Sequence, residues 1–326
     1  MIDLIRSSLL DEHQDLNSAF MLLDQWTQYK VHRLHQPGLA LGVVFKGNLI
    51  WAKGYGLADR ELGAPVTLAT RFRVASISKT FTATAIMQLR DAGMLRLDDP
   101  VSEHLDWFTV QYPDAPPITI CHLLTHTSGL PRDGARSMWE SDDFHTWEEV
   151  VELMPERVPT MPPVQEFSYS NLGYAVLGGV VQAVSGECWA DYVQRHILDP
   201  LEMTDTLTSV EGGVPNLATG YLREDADGHR KPMHVVDAKG FDPATGMAST
   251  LRDLAKYARF HLSTEDNGVL SPHTLRDMHR VHWLDANWKG GYGLGIGISR
   301  IGDYTLSGHG GGYKGFLTGF LISREH

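Results

Sequence analysis

The sequence predicts an α+β fold, in which an antiparallel sheet is flanked by helices and interrupted by a mostly helical region. Two observations support this prediction. Apolar segments bounded by turn residues are typical of strands, and they occur near both ends of the chain, at residues 39–45, 49–55, 292–298, 304–307 and 315–323. Between these segments, apolar residues recur at helical spacing. Strands from both chain ends would therefore meet in one antiparallel sheet.

This arrangement predicts two domains. Residues 1–93 and 241–326 would form a discontinuous sheet domain, and residues 94–240 a mostly helical domain inserted into it. Proline and charged residues are frequent in the inserted region, whereas glycine clusters near the end of the chain. We expect the functional site to lie at the interface of the two domains.

The helices are predicted from apolar periodicity and from residues that start or stop a helix. The first covers residues 4–35, either unbroken or broken near residues 11–15, and ends before Pro37. A second begins near Ser76 and ends at Gly93, because glycine is common just after a helix. Further helices are predicted at residues 119–126, 145–153, 171–184, 188–198, 249–262 and 271–280.

Composition excludes several classes of partner. The 326 residues carry a net charge of −12 without a basic block, which argues against nucleic acid and anionic membrane surfaces as partners. No apolar run reaches the ~20 residues that span a bilayer. The first residues lack the basic start and apolar core of a secretory signal, so we expect a cytoplasmic protein. Cys121 and Cys188 are far apart and are interpreted as reduced, partly buried thiols.

The first chemical motif is Ser76-Ile77-Ser78-Lys79. If a helix starts at Ser76, then Ser76 and Lys79 lie on one face of it. A serine hydroxyl becomes a good nucleophile when a neighbour removes its proton, and a desolvated lysine can do so. The alternative is that Ser76 is an N-cap and Lys79 a solvated side chain. This short motif alone favours the alternative.

Two further stretches carry candidate side chains. Tyr169 and Asn171 lie where a loop becomes a helix, so both can point into a cleft. A phenol beside an ammonium group loses its proton more easily, so Tyr169 could act as a general base on Ser76. Asn171 offers a donor and an acceptor to a substrate amide, although it could instead be an N-cap.

The second of these stretches is Ser307-Gly308-His309-Gly310-Gly311-Gly312-Tyr313. Glycines at a strand edge let another backbone approach, so this edge could pair with an extended substrate. One of its N–H groups could join the N–H of Ser76 in an oxyanion hole. The alternative is a flexible glycine loop or bulge, which this stretch alone favours.

In this order, the three stretches resemble the motifs of the serine β-lactamase and penicillin-binding fold. Tyr169 and His309, in place of a serine and a lysine, resemble the class C β-lactamase-like hydrolases, which include D-aminopeptidases, D-stereospecific peptidases and carboxylesterases. The resemblance runs from about residue 30 to 322. It implies Ser76 as acylated nucleophile, Lys79 and Tyr169 as proton-handling pair, Asn171, His309, Gly310 and Gly311 as substrate-binding positions, and the N–H groups of Ser76 and Gly312 as oxyanion hole.

The chain departs from the family pattern in two ways. His309 replaces a permanently charged lysine, and a histidine is largely neutral at pH 7. We therefore expect weaker selection for a substrate carboxylate. The family usually has a further strand and a C-terminal helix after the strand that ends near Ser323. Their absence predicts an uncovered strand edge, and hence a fragment, a processed chain, or a chain completed by a second polypeptide or a homo-oligomer.

The resulting expectation is a cofactor-free serine hydrolase that forms an acyl-enzyme with a small-molecule or short-peptide ester, amide or peptide. Two alternatives remain open: a true β-lactamase or D,D-peptidase, and a non-catalytic binding protein on the same fold. His122 and His126 have the spacing of zinc ligands on a helix, but the glutamate and third ligand of such a site are missing. Capping and packing are therefore expected of them, and no metal site is predicted.

Overall fold

The computed structural model describes residues 4–6, 14–134 and 138–324. Strands lie mostly toward the two ends of the chain and helices mostly between them. The helices are α1 (Gln14–Arg33), α2 (Ser78–Asp91), α3 (Ile120–Leu124), α4 (Met138–Ser141), α5 (Trp147–Leu153), α6 (Asn171–Ser185), α7 (Trp189–Val193), α8 (Leu251–Leu262) and α9 (Pro272–Met278). The strands are β1 (Leu4–Arg6), β2 (Gly38–Phe45), β3 (Asn48–Asp59), β4 (Ala64–Pro65), β5 (Phe72–Arg73), β6 (Ala248–Ser249), β7 (Trp283–Leu284), β8 (Gly290–Tyr292), β9 (Gly297–Ile301), β10 (Tyr304–Tyr313) and β11 (Phe316–Ile322).

The α+β fold with antiparallel pairing is confirmed, but the strands do not form the single sheet that the sequence predicts. The early strands form a four-stranded sheet in the order β1-β3-β2, with β4 beside β3. The late strands form a five-stranded sheet in the order β11-β10-β9-β8-β7, and β5 pairs with β6. Within the described residues, β2 and β11 each have a strand neighbour on one side.

A groove lies between these two strand edges. Its volume is about 350 Å³, and residues of β2 and β11 line it together with Leu251 and Leu254 of α8. Helix α8 contacts both strands, so it forms the floor of the groove. The β11 side chains Leu317 and Leu321 are 90% and 67% exposed. Both edges thus keep backbone groups that another strand can bind.

The first helix is shorter than predicted. It begins at Gln14, and residues 7–13 of the predicted helix lie outside the described residues. Leu4–Arg6 pairs with β3 as an antiparallel strand, with Leu4 opposite Lys53. A short apolar run such as this one fits either a helix or a strand, because periodicity needs a longer segment to distinguish them.

The core is built around α2, which positions the candidate nucleophile. Nearly every side chain of α2 is buried, and the helix contacts α6, α7 and a π-helical turn at Asp242–Gly246. Phe81 stacks on Tyr257 of α8 at 3.9 Å between ring centroids. A smaller cluster around Trp51 lies between the first sheet and α1. The α2 residues next to the site are therefore held by packing on several sides.

Two sequence expectations concern compartment. Across residues 4–6, 14–134 and 138–324, the helices are too short or too polar to cross a membrane. Cys121 and Cys188 are free thiols, as predicted, although Cys188 is exposed and not partly buried. The cytoplasmic location and the boundaries of the two domains stay predictions.

Candidate active site

Ser76 lies in a tight turn just before α2 and not at the first residue of the helix. The turn is a 3₁₀ segment, Ala75–Ile77, and Ala75 has φ of +49°, a value that non-glycine residues seldom adopt. Ser78 fixes the turn, because its Oγ donates to the Ala75 carbonyl at 2.7 Å and accepts the Met247 N–H at 3.1 Å. Ser76 itself remains half-buried, so its hydroxyl faces the site.

Lys79 lies one turn further on, with its ammonium group fully enclosed. Its Nζ lies 3.3 Å from Ser76 Oγ, 2.7 Å from Asn171 Oδ1 and 2.8 Å from the Ala244 carbonyl. An ammonium would donate to all three oxygens, whereas a neutral amine would donate to Asn171 and Ala244 and accept from the Ser76 hydroxyl. Burial lowers the pKa of Lys79 well below its usual value; the Asp133 charge opposes this, and the Arg132 charge adds to it. A neutral Lys79 can therefore accept a proton from Ser76.

Tyr169 reaches the same hydroxyl from the loop before α6. The Tyr169 ring centroid lies 4.9 Å from Lys79 Nζ and 4.2 Å from the His126 ring centroid, and the two rings are tilted by 36°. Burial raises the pKa of Tyr169 to about 12, whereas contact with the Ser76 hydroxyl lowers it. The expectation that a nearby ammonium would ease ionisation of Tyr169 is thus outweighed by burial. In the resting site, Tyr169 keeps its proton and Lys79 is the readier base.

Asn171 is free to face the site because Ser170 caps α6 instead. The Ser170 Oγ accepts the Gly173 N–H at 2.9 Å and donates to the Pro131 carbonyl at 2.7 Å. Both ends of the Asn171 amide are occupied: Oδ1 accepts from Lys79, and Nδ2 donates to Asp133 Oδ1 at 2.6 Å. A substrate would use the second lone pair or the second N–H of this amide. Its role in substrate binding stays a prediction.

Arg132 and Asp133 are site residues that the sequence interpretation missed. The Arg132 guanidinium lies 5.7 Å from the Tyr169 ring centroid, and its side chain is 69% exposed. Asp133 approaches Asn171 from the side opposite Lys79. The signal in the sequence is weak but present: these are the first charged residues after Asp114, apart from histidines, and they follow Pro131 in a loop.

The glycine stretch forms part of β10, so the alternative of a flexible loop or bulge is wrong. Gly311 lies against the turn that carries Ser76: a Cβ at Gly311 would come within 2.2 Å of the Val74 carbonyl oxygen. Any larger residue would push the strand away from the nucleophile. Strand β9 pairs with β10 up to Gly308, and β11 pairs with it as far as Tyr313. Among described strands, the His309–Tyr313 segment therefore has a partner on one edge.

His309 lies on β10 with its imidazole turned into the protein. Its Nδ1 contacts the Gly310 carbonyl at 2.7 Å, and its Nε2 contacts the Tyr292 hydroxyl at 2.9 Å. A carbonyl only accepts, so Nδ1 must donate, and Nε2 then accepts from Tyr292. Burial lowers the pKa of His309 to about 4, and the Lys79 charge acts in the same direction. His309 is therefore neutral at pH 7.

Gly310 and Gly312 are exposed on β10, on the strand that contacts the Ser76 turn. The structure thus brings Ser76, Lys79, Tyr169, Asn171 and His309 together in one site beside this strand. The assignment of Gly310 and Gly311 to substrate binding, and of the Ser76 and Gly312 N–H groups to an oxyanion hole, stays a prediction.

The two histidines with zinc-like spacing have structural contacts. The His122 imidazole accepts the Thr119 N–H and closes a capping box at the start of α3. His126 is buried beneath Tyr169, and its Nδ1 accepts the Ser170 N–H at 3.1 Å. In the described part of the chain, no group of three or more His, Cys, Asp or Glu side chains is suited to hold a metal ion.

Two relatives are similar to this chain in sequence. Penicillin-binding protein 4 of Amycolatopsis lactamdurans is 33% identical over 238 residues, which cover 72% of this chain and 61% of that protein. Protein flp of Staphylococcus aureus strain MW2 is 29% identical over 258 residues, which cover 77% of this chain and 50% of that protein. The matched region thus spans between half and about three-fifths of each relative.

Two solved structures have a similar fold. The octameric penicillin-binding protein homologue from Pyrococcus abyssi aligns with a TM-score of 0.83 and 27% identity, over 94% of this chain and 71% of that one. The penicillin-binding protein from Bacillus halodurans aligns with a TM-score of 0.73 and 26% identity, over 88% of this chain and 86% of that one. Residues 23–326 match the sequence profile of the Beta-lactamase family, and the chain therefore belongs to the β-lactamase family.

Proposed function

We propose that this chain is a serine hydrolase that forms an acyl-enzyme with an ester, amide or peptide substrate. One observation carries the proposal: the side-chain nitrogen of a fully buried lysine lies 3.3 Å from the hydroxyl of a half-buried serine. A buried lysine without a carboxylate in contact is costly for the fold, and such groups are frequent at catalytic sites. The family membership agrees with this chemistry.

The acylation step follows from the positions of three side chains. Neutral Lys79 accepts the hydroxyl proton as the Ser76 oxygen bonds to the substrate carbonyl carbon. The carbonyl oxygen becomes negative and binds the N–H groups of Ser76 and Gly312. Tyr169 donates its proton to the leaving alkoxide or amine and regains one from Lys79. The bond to the leaving group breaks, and the acyl group remains on Ser76.

Deacylation reuses the same groups. A water molecule attacks the acyl ester, and Lys79 and Tyr169 take its proton and return it to the Ser76 oxygen. The ester bond breaks, and a carboxylic acid leaves. We assign these roles without a metal or an organic cofactor, because each proton transfer has a donor and an acceptor among the site's own side chains.

We propose neutral substrates, of the esterase or D-amino-acid peptidase type. His309 is uncharged at pH 7 and occupied by Tyr292 and Gly310, so the strand supplies no cation for a substrate carboxylate. A β-lactamase or D,D-peptidase is the second candidate, because the exposed Arg132 guanidinium lies at the rim beside Tyr169. Three of the four similar proteins carry penicillin-binding names, which also supports this second candidate.

A substrate panel separates these functions. The panel contains p-nitrophenyl esters, D-amino acid amides and nitrocefin, each tested with the native chain and with Ser76→Ala. Hydrolysis of the neutral esters or amides that Ser76→Ala abolishes would support the proposal. Nitrocefin as the preferred substrate would favour a β-lactamase. No turnover of any compound, with no labelling by a fluorophosphonate probe, would favour a binding protein on this fold.

We also propose that another strand occupies the groove between β2 and β11. The strand would come from a second polypeptide segment or from a copy of the chain in a homo-oligomer. Two strand edges with one neighbour each, and the exposed Leu317 and Leu321, support this proposal. Light scattering coupled to gel filtration would show whether the chain assembles, and a monomer that is stable and active alone would contradict it.

A further inference from the structure

The loop before Asp133 is docked along the first turn of α6. The Pro131 carbonyl accepts from Ser170 Oγ at 2.7 Å, and the Arg132 carbonyl accepts the N–H groups of Asn171 at 2.7 Å and Leu172 at 3.2 Å. Three consecutive loop residues thus bind three consecutive residues at the start of the helix. This docking fixes the Asp133 carboxylate relative to Asn171, which it contacts at 2.6 Å.

The contact determines which end of the Asn171 amide faces Lys79. A carboxylate oxygen only accepts hydrogen bonds, so the Asn171 NH₂ group must face Asp133. The amide oxygen is then directed at Lys79 Nζ, 2.7 Å away. A reversed amide would place its NH₂ group against the lysine, so two donors would meet and one Lys79 proton would lose its acceptor. Such an unpaired buried donor is unfavourable.

Asp133 also supplies a negative charge that acts on Lys79. The other titratable side chains facing Lys79 are two tyrosines, two histidines and an arginine: Tyr169, Tyr174, His126, His309 and Arg132. Burial raises the pKa of both tyrosines and lowers the pKa of both histidines, so these four groups are neutral near pH 7. Within the described residues, Asp133 is the carboxylate that favours the protonated lysine.

We propose that Asp133 is a positioning residue for the acylation step: it orients the Asn171 amide so that the amide oxygen holds Lys79 beside Ser76. The proposal rests on the serine hydrolase function proposed above. Asp133 touches neither Ser76 nor the reacting atoms in this arrangement, and its effect passes through Asn171 and Lys79.

The test compares Asp133→Asn and Asp133→Ala with the native chain. The readouts are the rate of fluorophosphonate labelling and the kcat/KM for a p-nitrophenyl ester between pH 5 and 10. Asp142→Asn is the matched control, because Asp142 is a half-buried, ion-paired carboxylate that contacts Lys314 and not Asn171. Asp133→Ala should lower kcat/KM about 10- to 100-fold, mainly through kcat, because a misplaced Lys79 transfers the proton less well. The control should stay within about 2-fold.

The pH profile separates positioning from a general loss of stability. Lys79 must be neutral to accept the proton, and the Asp133 charge favours its protonated form. Removing that charge lowers the pKa of Lys79, so the acid limb of kcat/KM should move to lower pH in both Asp133 variants. Asp133→Asn keeps the size of the side chain and an amide oxygen that can accept from Asn171. It should therefore lose less rate than Asp133→Ala and show the same shift of the acid limb.

A double-mutant cycle tests the path of the effect. If Asp133 acts through Asn171, then Asp133→Ala should cost less than about 2-fold in an Asn171→Ala background. The proposal would be overturned if the double variant lost the product of the two single-variant factors, or if the acid limb did not shift in the Asp133 variants. A native chain that reacts while both Asp133 variants match it would also overturn the role of Asp133 and leave the hydrolase function intact. A native chain that neither labels nor turns over would reject the hydrolase function, and the role of Asp133 with it.

Discussion

Two walls of the candidate site differ in their exposure to solvent. The lysine wall consists of Ser76, Lys79 and Asn171, and it is enclosed: Lys79 is fully buried and finds its acceptors within the protein. The strand wall is residues 309–312 of β10, where Gly310 and Gly312 are exposed and one edge lacks a strand neighbour among the described strands. The first wall is held in place, and the second is open.

This difference separates the chemistry from the choice of substrate. The lysine wall provides proton transfer at fixed distances, which depends on exclusion of water and on complete hydrogen bonding. The strand wall presents backbone groups, and its His309 imidazole is neutral and turned into the protein, so this wall can accept extended substrates without requiring a charge on them. Substitutions in the lysine wall should therefore change rates, and substitutions in the strand wall should change selectivity.

The largest effect is expected from Ser76→Ala. Loss of the nucleophile should lower kcat by about 10⁴- to 10⁶-fold for every substrate that the native chain hydrolyses. The free energy of unfolding should change by less than about 1 kcal/mol, because Ser76 is half-buried and makes few contacts. Steady-state kinetics and urea unfolding measure the two quantities. Residual turnover within about 10-fold of the native value would remove Ser76 from the mechanism.

Lys79→Met should follow, with a loss of about 10²- to 10⁴-fold in kcat/KM. Methionine keeps much of the side-chain length but can neither donate nor accept the proton. The fold should tolerate it, because replacing a buried charge with an apolar group is often neutral or stabilising. The acid limb of the pH profile should disappear with Lys79. An unchanged limb in this variant would show that another group titrates there.

Tyr169→Phe should lower kcat/KM about 100-fold and leave the acid limb in place. The reason is that burial raises the pKa of Tyr169 to about 12, so the tyrosine is protonated throughout the range in which Lys79 titrates. The pH profile of the variant, measured against the native chain between pH 5 and 10, gives the result. Loss of the acid limb in Tyr169→Phe would instead identify Tyr169 as the titrating base and Lys79 as the proton donor.

On the strand wall, His309 should make stability depend on pH. Its pKa is about 4 in the folded protein and near 6.5 when unfolded, so the unfolded chain binds the proton more readily. Proton binding to His309 in the unfolded chain is therefore negligible well above pH 6.5, and it destabilises the fold as pH falls toward 4. The free energy of unfolding of His309→Gln, minus that of the native chain, should therefore be about 2 kcal/mol higher at pH 5 than at pH 7. Parallel urea titrations of both proteins would reveal a constant difference if His309 were charged in the fold.

The smallest effect is expected from His309→Lys. A lysine here would offer a cation to a substrate carboxylate, so the ratio of kcat/KM for anionic over neutral esters should rise about 10-fold. His309→Gln is the neutral control, since its amide oxygen can still accept from Tyr292. Matched p-nitrophenyl esters with and without a carboxylate provide the measurement. An equal rise in the glutamine variant would mean that the loss of the imidazole, and not the added charge, changes selectivity.

The sequence predicted the parts of the fold that have long periodic patterns. The hairpin of β2 and β3, the central helix α2 with its stop at Gly93, and the helix after Asn171 are all confirmed. Their apolar spacing extends over enough residues to distinguish a helix from a strand. The separation of the two sheets could not be read in this way, because pairing between strands from distant parts of the chain leaves no local pattern.

The site residues that belong to a sequence motif were predicted, and the features that depend on the folded geometry were missed. Ser76, Lys79, Tyr169 and Asn171 were identified from their order in the chain, and the structure brings them together. Asp133 escaped notice because its role depends on a loop docked onto α6. The inward turn of His309 also depends on Tyr292, which lies 17 residues away in sequence.

The most direct test of the account is the location of the covalent adduct. The native chain is treated with a fluorophosphonate probe, digested and analysed by mass spectrometry, beside Ser76→Ala and Lys79→Met. The account predicts one adduct on Ser76 in the native chain, none on that peptide in Ser76→Ala, and labelling at least about 100-fold slower in Lys79→Met. An adduct on another residue, or labelling of Lys79→Met at the native rate, would contradict it.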